Sequence, residues 1–231
     1  MTLNEMIYHR KSCRSFTGKP VDAEMIERIL SFEPKPLYPQ IKVRMDIVGK
    51  DKVKCLCPWT TPQLIAIYSE GTGGYLENIG FVFQQMDLYL QTLGLGVCWL
   101  GMGRMNPKTT TQVEGMKFVI MLAFGYPKGD QLRQTTKEFK RKSMEKVTDK
   151  ADARLEPARL APAAVNSPPW YFSHEDDTIH VYCSKKGSLL DVGIALAHLY
   201  VANEGSFRFF QTEKATELLG YGYVGSVTLS C

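Results

Sequence analysis

The sequence has no long apolar run. No stretch of the 231 residues approaches the roughly 20 consecutive apolar residues that a bilayer-spanning helix requires. Residues 1–10 also lack the apolar core of a secretory signal peptide. We therefore expect a protein of the cytoplasm that has no membrane partner.

Cysteine is scarce as well. The six cysteines, at positions 13, 55, 57, 98, 183 and 231, are too sparse for a disulfide scaffold and fit reduced thiols. Cys55 and Cys57 form the only close pair, and the second pair that a zinc or iron–sulfur site needs is missing. The sequence therefore predicts that no metal is bound.

An excess of charge of one sign is nearly absent. The net charge is only +4, and the cations are spread along the chain rather than gathered in one tract. This distribution is not typical of proteins that bind nucleic acid, whereas small anionic ligands remain compatible with it. With 44% hydrophobic and 11% aromatic residues, the chain has enough apolar material for one large domain or two closely packed halves.

Helical and strand periodicities alternate along the chain. Apolar residues recur at helical spacing in residues 4–10, 23–32, 74–93, 152–160 and 188–203. Strand patterns occupy residues 41–49, 64–68, 97–100, 117–124, 170–172, 178–183, 206–211 and 223–229. Residues 128–150 are charged and have no strong period, so we expect a surface loop that separates two parts of the chain.

The second part repeats the pattern of the first in shorter form. The two long helices are both amphipathic, both are followed by strands, and each contains a glycine among apolar neighbours, Gly80 and Gly193. Glycine inside a helix indicates close packing against another element. The pattern is typical of an old duplication, and a chance likeness between two amphipathic helices is the alternative.

Three cations and a hydroxyl lie within five residues directly after the first helix, in Arg10-Lys11-Ser12-Cys13-Arg14. Guanidinium groups beside a hydroxyl suit a phosphate monoester, because charge-assisted bidentate hydrogen bonds favour such an oxyanion. The alternative is a solvated basic turn, since clustered charges usually lie on the surface.

Four glycines, at positions 94, 96, 101 and 103, surround the strand predicted at 97–100. They would let a flat ligand approach the backbone closely. The spacing is not that of a dinucleotide-binding fingerprint, and no strand–loop–helix unit surrounds it. The alternative is a tight helix-to-strand corner with Trp99 in the core.

The segment at residues 160–170, LAPAAVNSPPW, combines three prolines with four alanine or valine residues and a single amide. The prolines stiffen the loop, and the small side chains keep its surface low and apolar. Asn166 offers donors and an acceptor that match the edge of a heterocycle, and Trp170 anchors the loop. The alternative is a proline-rich turn in which the Asn favours the turn geometry.

These three segments, together with Ala123-Phe124-Gly125-Tyr126-Pro127, resemble the FMN-dependent nitroreductase superfamily over nearly the whole chain. In ordinary members the Asn-containing loop follows the Arg-rich turn by a few tens of residues and meets a flavin held by the other subunit. Here Asn166 lies far downstream of Ser12, and residues 35–39 occupy the expected place without an Asn. The chain therefore resembles a subgroup in which one polypeptide imitates the dimer.

The resemblance implies an α+β fold with mixed or antiparallel sheets flanked by helices and two pseudo-equivalent halves. Residues 1–149 would form the first half, which supplies the phosphate and ring cradle, and residues 150–231 the second, which supplies the partner's loop. A monomer with one FMN is expected. The implied FMN-binding residues are Arg10, Lys11, Ser12, Arg14, Trp99, Leu100, Gly101, Met102, Lys140, Arg141, Pro162, Ala163, Ala164 and Asn166.

Most of these residues have a specific implied role. Arg10 and Ser12 would hold the phosphate with Lys140 or Arg141, and Arg14 would lie near the pyrimidine edge of the ring. Residues 100–102 would line the ring, and Ala163, Ala164 and Asn166 would cover its other side. No side-chain acid or base is expected.

The resemblance implies an NAD(P)H-dependent oxidoreductase that transfers hydride by a ping-pong mechanism to nitroaromatic, quinone or similar electron-poor acceptors. A flavin-binding carrier or redox sensor is one alternative. A specialised flavin reaction, such as reductive dehalogenation or flavin breakdown, is another.

Overall fold

A computed structural model of the protein describes residues 1–57, 59, 61–108, 113, 115–130, 132–213 and 215–229. None of the helices in these ranges combines the length and hydropathy that a membrane crossing requires.

The chain folds into five α-helices, ten strands and several short 3₁₀ turns across the described residues. The helices are α1 Leu3–Ile7, α2 Ala23–Leu30, α3 Tyr75–Thr92, α4 Glu156–Leu160 and α5 Leu189–Ala202. The strands are β1 Val43–Gly49, β2 Val53–Lys54, β3 Gln63–Ser69, β4 Gly96–Leu100, β5 Arg104–Met105, β6 Lys117–Gly125, β7 Trp170–Glu175, β8 Thr178–Ser184, β9 Arg208–Phe210 and β10 Tyr221–Thr228. The predicted α+β fold is confirmed, and only β2 and β5, which are too short to show a period, were not predicted.

Two four-stranded antiparallel sheets have the same connectivity. Their strand orders are β1-β3-β6-β4 and β7-β8-β10-β9, so in each sheet the strands follow the order first, second, fourth, third. The registers also match, because the pairing skips Val119 between β3 and β6, and Val224 between β8 and β10. A bulge reverses which face the side chains point to, so this shared bulge gives both sheets the same pattern of faces.

The two sheets are joined through α3 and α5, which touch backbone to backbone. A Cβ on Gly80 would lie 2.0 Å from the Leu190 oxygen, and a Cβ on Gly193 would lie 2.0 Å from the Glu77 oxygen. Each glycine thus contacts the residue that lies three positions before the glycine of the other helix. Such a reciprocal pair of contacts is typical of two elements related by a two-fold axis. The close packing predicted from the two glycines is confirmed, and the helices pack against each other.

The polar residues of α3 lie in the interior. The sequence pattern indicated an amphipathic helix, yet Gln84, Asp87 and Gln91 are all buried, because α3 contacts α1, α5 and the first sheet. Their partners are polar groups of other segments. His198 of α5 is also a core residue: it is fully buried, and its ring nitrogens lie 2.9 Å from the Pro157 oxygen and 3.1 Å from Gln84 Nε2. Burial lowers the pKa of His198 to about 3, so the ring is neutral.

The cysteines of the described residues are free thiols. Cys13, Cys57, Cys98 and Cys183 are buried and Cys55 is half-buried, whereas Cys231 lies outside the described residues. In the described ranges, no three His, Cys, Asp or Glu side chains are grouped so that they could hold a metal ion.

Replacing Gly193 with Ala tests the helix contact. Helix propensity alone would make Gly193→Ala stabilising by up to about 1 kcal/mol. Because the new Cβ would lie 2.0 Å from a backbone oxygen, we expect the free energy of unfolding to fall instead, by about 3 kcal/mol. Chemical denaturation measures the change.

The matched control is Gly205→Ala, since a Cβ at Gly205 meets no heavy atom within 4 Å. This control should change stability by less than about 0.5 kcal/mol. A Gly193→Ala protein as stable as the wild type would contradict the backbone contact.

Candidate functional site

Segments far apart in sequence line one cleft of about 160 Å³. The N-terminal arm and the first sheet form one wall, and the loop after α4 together with α5 forms the other. The lining residues are Ser12, Arg14, Cys98, Trp99, Gly101, Ile120, Pro162, Ala163, Ala164, Val165, Leu190, Asp191 and Ile194. All three segments singled out in the sequence therefore contribute residues to the same cleft.

The N-terminal arm lies against the edge of β4. Ser12 bridges to Val97, and the Cys13 amide donates to the Val97 oxygen at 2.8 Å. Gly96 permits this approach, because a Cβ there would lie 2.5 Å from Cys13 Sγ. At Gly101, by contrast, no heavy atom lies within 4 Å of the Cβ position, so the backbone is open to the cleft.

The loop on the opposite wall has a strained backbone. Val165 and Asn166 have φ angles of 47° and 56°, in the left-handed region. A β-branched residue rarely adopts this conformation, and such strain is concentrated at functional sites. Val165 is 95% exposed on the cleft wall, and the Ala164 amide beside it donates to Asp191 Oδ2 at 3.1 Å.

The Asn166 side chain is bound to the segment at residues 140–141. Its oxygen accepts a hydrogen bond from Arg141, and its nitrogen donates to the Lys140 oxygen at 3.2 Å. Lys140 adopts the left-handed conformation, with φ 49°. The Asn166 side chain thus joins residues 140–141 to the loop. Its contact with the edge of a heterocycle stays a prediction.

A cluster of arginines lies at the Ser12 end of the cleft. Arg10 is 1% exposed, with Nε 3.0 Å from Asp87 Oδ1 and a terminal nitrogen 3.5 Å from Ser12 Oγ. Arg133 donates to the Arg10 backbone oxygen, and Arg141 donates to the Leu160 oxygen at 3.2 Å.

The arginine cluster carries more positive charge than its surroundings neutralise. Burial and the nearby Arg10 lower the pKa of Arg133 to about 10, and burial together with Arg10, Arg133 and Arg159 lowers the pKa of Arg141 to about 10. An anion placed among these groups would relieve that repulsion. Sequence reasoning missed Arg133 because it belongs to a charged stretch without periodicity.

Three buried polar residues of α3 position Trp99 of the cleft and the adjoining residues Arg10 and Lys11 of the N-terminal arm. Asp87 binds Arg10, the Gln84 side-chain oxygen accepts from Trp99 Nε1 at 3.1 Å, and the Gln91 side-chain oxygen accepts from the Lys11 amide at 3.1 Å. These residues were missed as well. The available signal was their spacing of three and four, which places them on one face of a helix.

The remaining predicted residues lie in different surroundings. Arg14 is exposed at the cleft, with its guanidinium 5.5 Å from the centre of the Trp59 ring. Lys11 and Lys140 are exposed. Leu100 is buried in the apolar cluster on the other face of the sheet, and Met102 is 59% exposed and outside the set that lines the cleft.

A second region, the twin region, is equivalent to the cleft. The matching registers and the helix contact align Trp99 with Phe209, Gly101 with Gln211, Ala164 with Leu37, Val165 with Tyr38 and Asp191 with Asn78. In the twin region the Tyr38 and Phe209 rings pack edge to face with centroids 5.6 Å apart, and Gln211 Nε2 donates to the Val224 oxygen at 2.8 Å. The Tyr38 ring thus occupies the position at which the cleft has the smaller, exposed Val165.

Comparison with known proteins identifies a family. The model of the family described as "Putative TM nitroreductase" matches residues 2–203. A protein from Thermotoga maritima MSB8, described as a "putative nitroreductase", is 19% identical with a TM-score of 0.68 over 99% of this chain and 93% of its own. No curated protein matches the chain.

Single subunits of other nitroreductases cover less of the chain. A nitroreductase family protein from Clostridium difficile 630 is 18% identical with a TM-score of 0.50, over 63% of this chain and 96% of its own. A nitroreductase with bound FMN from Desulfitobacterium hafniense DCB-2 is 16% identical with a TM-score of 0.46, over 62% of this chain and 99% of its own. At 18% identity the likeness to the Clostridium difficile protein concerns the fold alone.

Phosphate should stabilise the protein through the arginine cluster. At constant ionic strength, replacing chloride with phosphate should raise the Tm by about 3 °C, because an anion that binds only the folded state stabilises it. In Arg141→Met the rise should shrink to less than about 1 °C. Differential scanning fluorimetry measures both shifts.

The matched control is Lys137→Met, which removes one exposed cation from the same stretch. It should respond to phosphate as the wild type does. Equal responses of all three proteins would show that the arginine cluster binds no anion.

Proposed function

Since the chain belongs to this nitroreductase family, we propose that it is an FMN-dependent oxidoreductase that takes hydride from NAD(P)H and reduces small electron-poor acceptors such as nitroaromatics or quinones. The observation that carries the proposal is the shared cleft, in which the Ser12–Arg14 arm faces the loop at residues 162–165. Neither segment could form such a site alone.

The residues of the cleft fit the two chemical parts of FMN. Trp99, Ile120 and Pro162 offer apolar surface to a planar ring, and Gly101 leaves the backbone accessible. The arginine cluster offers a phosphate charge-assisted donors that have few acidic neighbours. The donor set therefore suits a flat heterocycle that ends in a phosphate.

The residues of the chain would bind and orient rather than react. When bound, FMN supplies reversible hydride acceptance. Arg10, Arg133 and Arg141 would hold its phosphate, with Ser12 contributing a hydroxyl. Arg14 would stabilise negative charge that develops at the pyrimidine edge. Trp99, which Gln84 holds in place, would fix the ring against the sheet, so positioning would provide most of the catalysis.

The loop at residues 162–166 would cover one side of the ring and leave the other side for the two substrates in turn. A single open face admits either the nicotinamide donor or the acceptor, which gives ping-pong kinetics. This arrangement requires no metal.

One FMN per chain is part of the proposal. Residues 1–149 and 150–231 would be two halves that arose by duplication and imitate a dimer, as the shared strand order and bulge position support. Tyr38, Phe209 and Gln211 occupy the twin region, so the duplication would retain a single open site. A monomer is sufficient for this site.

FMN binding should be specific to the cleft. We expect the purified protein, supplied with FMN, to bind one FMN per chain and to lose its yellow colour under anaerobic NADH or NADPH. Titration by fluorescence quenching gives the stoichiometry. A coloured protein that neither donor bleaches would favour a flavin carrier, and failure to bind FMN would remove the proposed function.

Gly101→Leu should block the ring while leaving the fold intact. The side chain would project into open space, so the Tm of the FMN-free protein should stay within about 2 °C of the wild type. The Kd for FMN should rise at least tenfold, since about 1.4 kcal/mol of lost contact suffices for that. Gly73→Leu, also at an open position but away from the cleft, is the control. Unchanged affinity in Gly101→Leu would place the ring elsewhere.

A further inference from the structure

The wall of the cleft contains a carboxyl group to which the proposed function assigns no role. Asp191 lies in the first turn of α5, is 6% exposed, and lines the cleft with Pro162–Val165 of the neighbouring loop. Its Oδ2 accepts the Ala164 amide at 3.1 Å. Burial raises the pKa of Asp191 to about 6, against the lowering effect of that hydrogen bond.

The twin region shows which side chain is sufficient to accept the hydrogen bond from the loop amide. Asn78 occupies the position equivalent to Asp191, and its side-chain oxygen accepts the Leu37 and Tyr38 amides, each at 2.9 Å. An amide therefore suffices to hold this loop against the helix. The carboxyl group at 191 differs from it in one chemical property, since it can hold and release a proton.

The surroundings of Asp191 leave that proton available. No ion pair joins Asp191 to a cation in the part of the chain that the structure describes. Two titratable groups, Cys183 of β8 and Glu77 of α3, lie on this side of the cleft, and the charges of Asp191 and Glu77 both raise the pKa of the Cys183 thiol. Arg14 lines the cleft on the opposite wall. The Cys183 thiol, whose pKa is raised to about 11, is neutral, so burial is what favours the protonated Asp191 carboxyl and the Ala164 amide is what favours the ionised one.

We propose that Asp191 is the proton donor to the electron-poor acceptor in the cleft, a role that rests on the proposed function. An acceptor such as a quinone gains a hydride from the reduced cofactor at one position and needs a proton at its oxygen. That proton comes from Asp191 Oδ as the O–H bond of the hydroquinone forms. Water returns a proton to the carboxylate before the next turnover, so the charges balance.

This role concerns only the half-reaction that consumes the acceptor. Hydride transfer from NAD(P)H needs no proton from the chain, so that half-reaction does not depend on Asp191. General acid catalysis by a positioned group typically contributes about 10²–10⁴-fold to a rate. A substitution of Asp191 should therefore slow the half-reaction that consumes the acceptor and leave the half-reaction with NAD(P)H unchanged.

Asp191→Asn is the matched variant, because it keeps the acceptor for the Ala164 amide as Asn78 does in the twin region. In stopped-flow experiments with 1,4-benzoquinone, we expect reoxidation to slow at least tenfold and to lose the wild-type decline as pH rises above 6. Bleaching by NADH should stay within about twofold of the wild-type rate. Asp177→Asn, at an exposed turn, should match the wild type in both steps.

A readout independent of activity uses the FMN-free protein. Carbon-13 NMR of labelled aspartate should show one carboxyl, absent from Asp191→Asn, that titrates near pH 6. If Asp191→Asn is reoxidised at the wild-type rate, or if Asp191 titrates below pH 4, the role of Asp191 is overturned. Normal FMN binding and bleaching in the same experiments would still leave the proposed function intact. Loss of FMN binding or of bleaching in the wild type would overturn both.

Discussion

The backbone contact between α3 and α5 is the constraint on which the rest of the structure depends. Gly80 and Gly193 let the two helices approach until each would-be Cβ position lies 2.0 Å from a carbonyl oxygen of the other helix. Interiors pack at near-crystalline density, so this contact sets the relative position of the two sheets. It also determines how the loop after α4 and the first turn of α5 meet the end of β4, and so where the cleft lies.

Buried polar groups run through the same contact and connect the two sides of the molecule. Arg10 is bonded to Asp87, Asp87 to Gln84, and Gln84 to His198, which is bonded to the Pro157 oxygen. Removing one partner of a buried ion pair leaves an uncompensated charge, which is strongly destabilising. The network therefore holds Arg10 at the cleft while the neutral His198 adds no charge to an already cationic region.

The two four-stranded sheets share one framework, but the regions beside them differ. Strand order, bulge and helix contact are shared, yet Tyr38 packs against Phe209 on one side while Val165 leaves the equivalent space open on the other. The amide of Asn78 on one side lies where the other side has the carboxyl of Asp191. Differences at a few side chains, on an unchanged backbone plan, thus distinguish a filled region from an open cleft.

Local periodicity in the sequence determined most of the helices and strands, since burying an apolar face requires spacing that neighbouring residues already reveal. The kinds of residues in single segments, rather than their periodicity, located Gly80, Gly193 and the three segments that line the cleft. Only the tertiary structure decided that Gln84 and Asp87 face inward, that Arg133 joins Arg10, and that Asp191 borders the cleft. The physical reason is that burial, charge and hydrogen bonding at these positions come from residues distant in the chain, and such contacts exist only after the two sheets pack together.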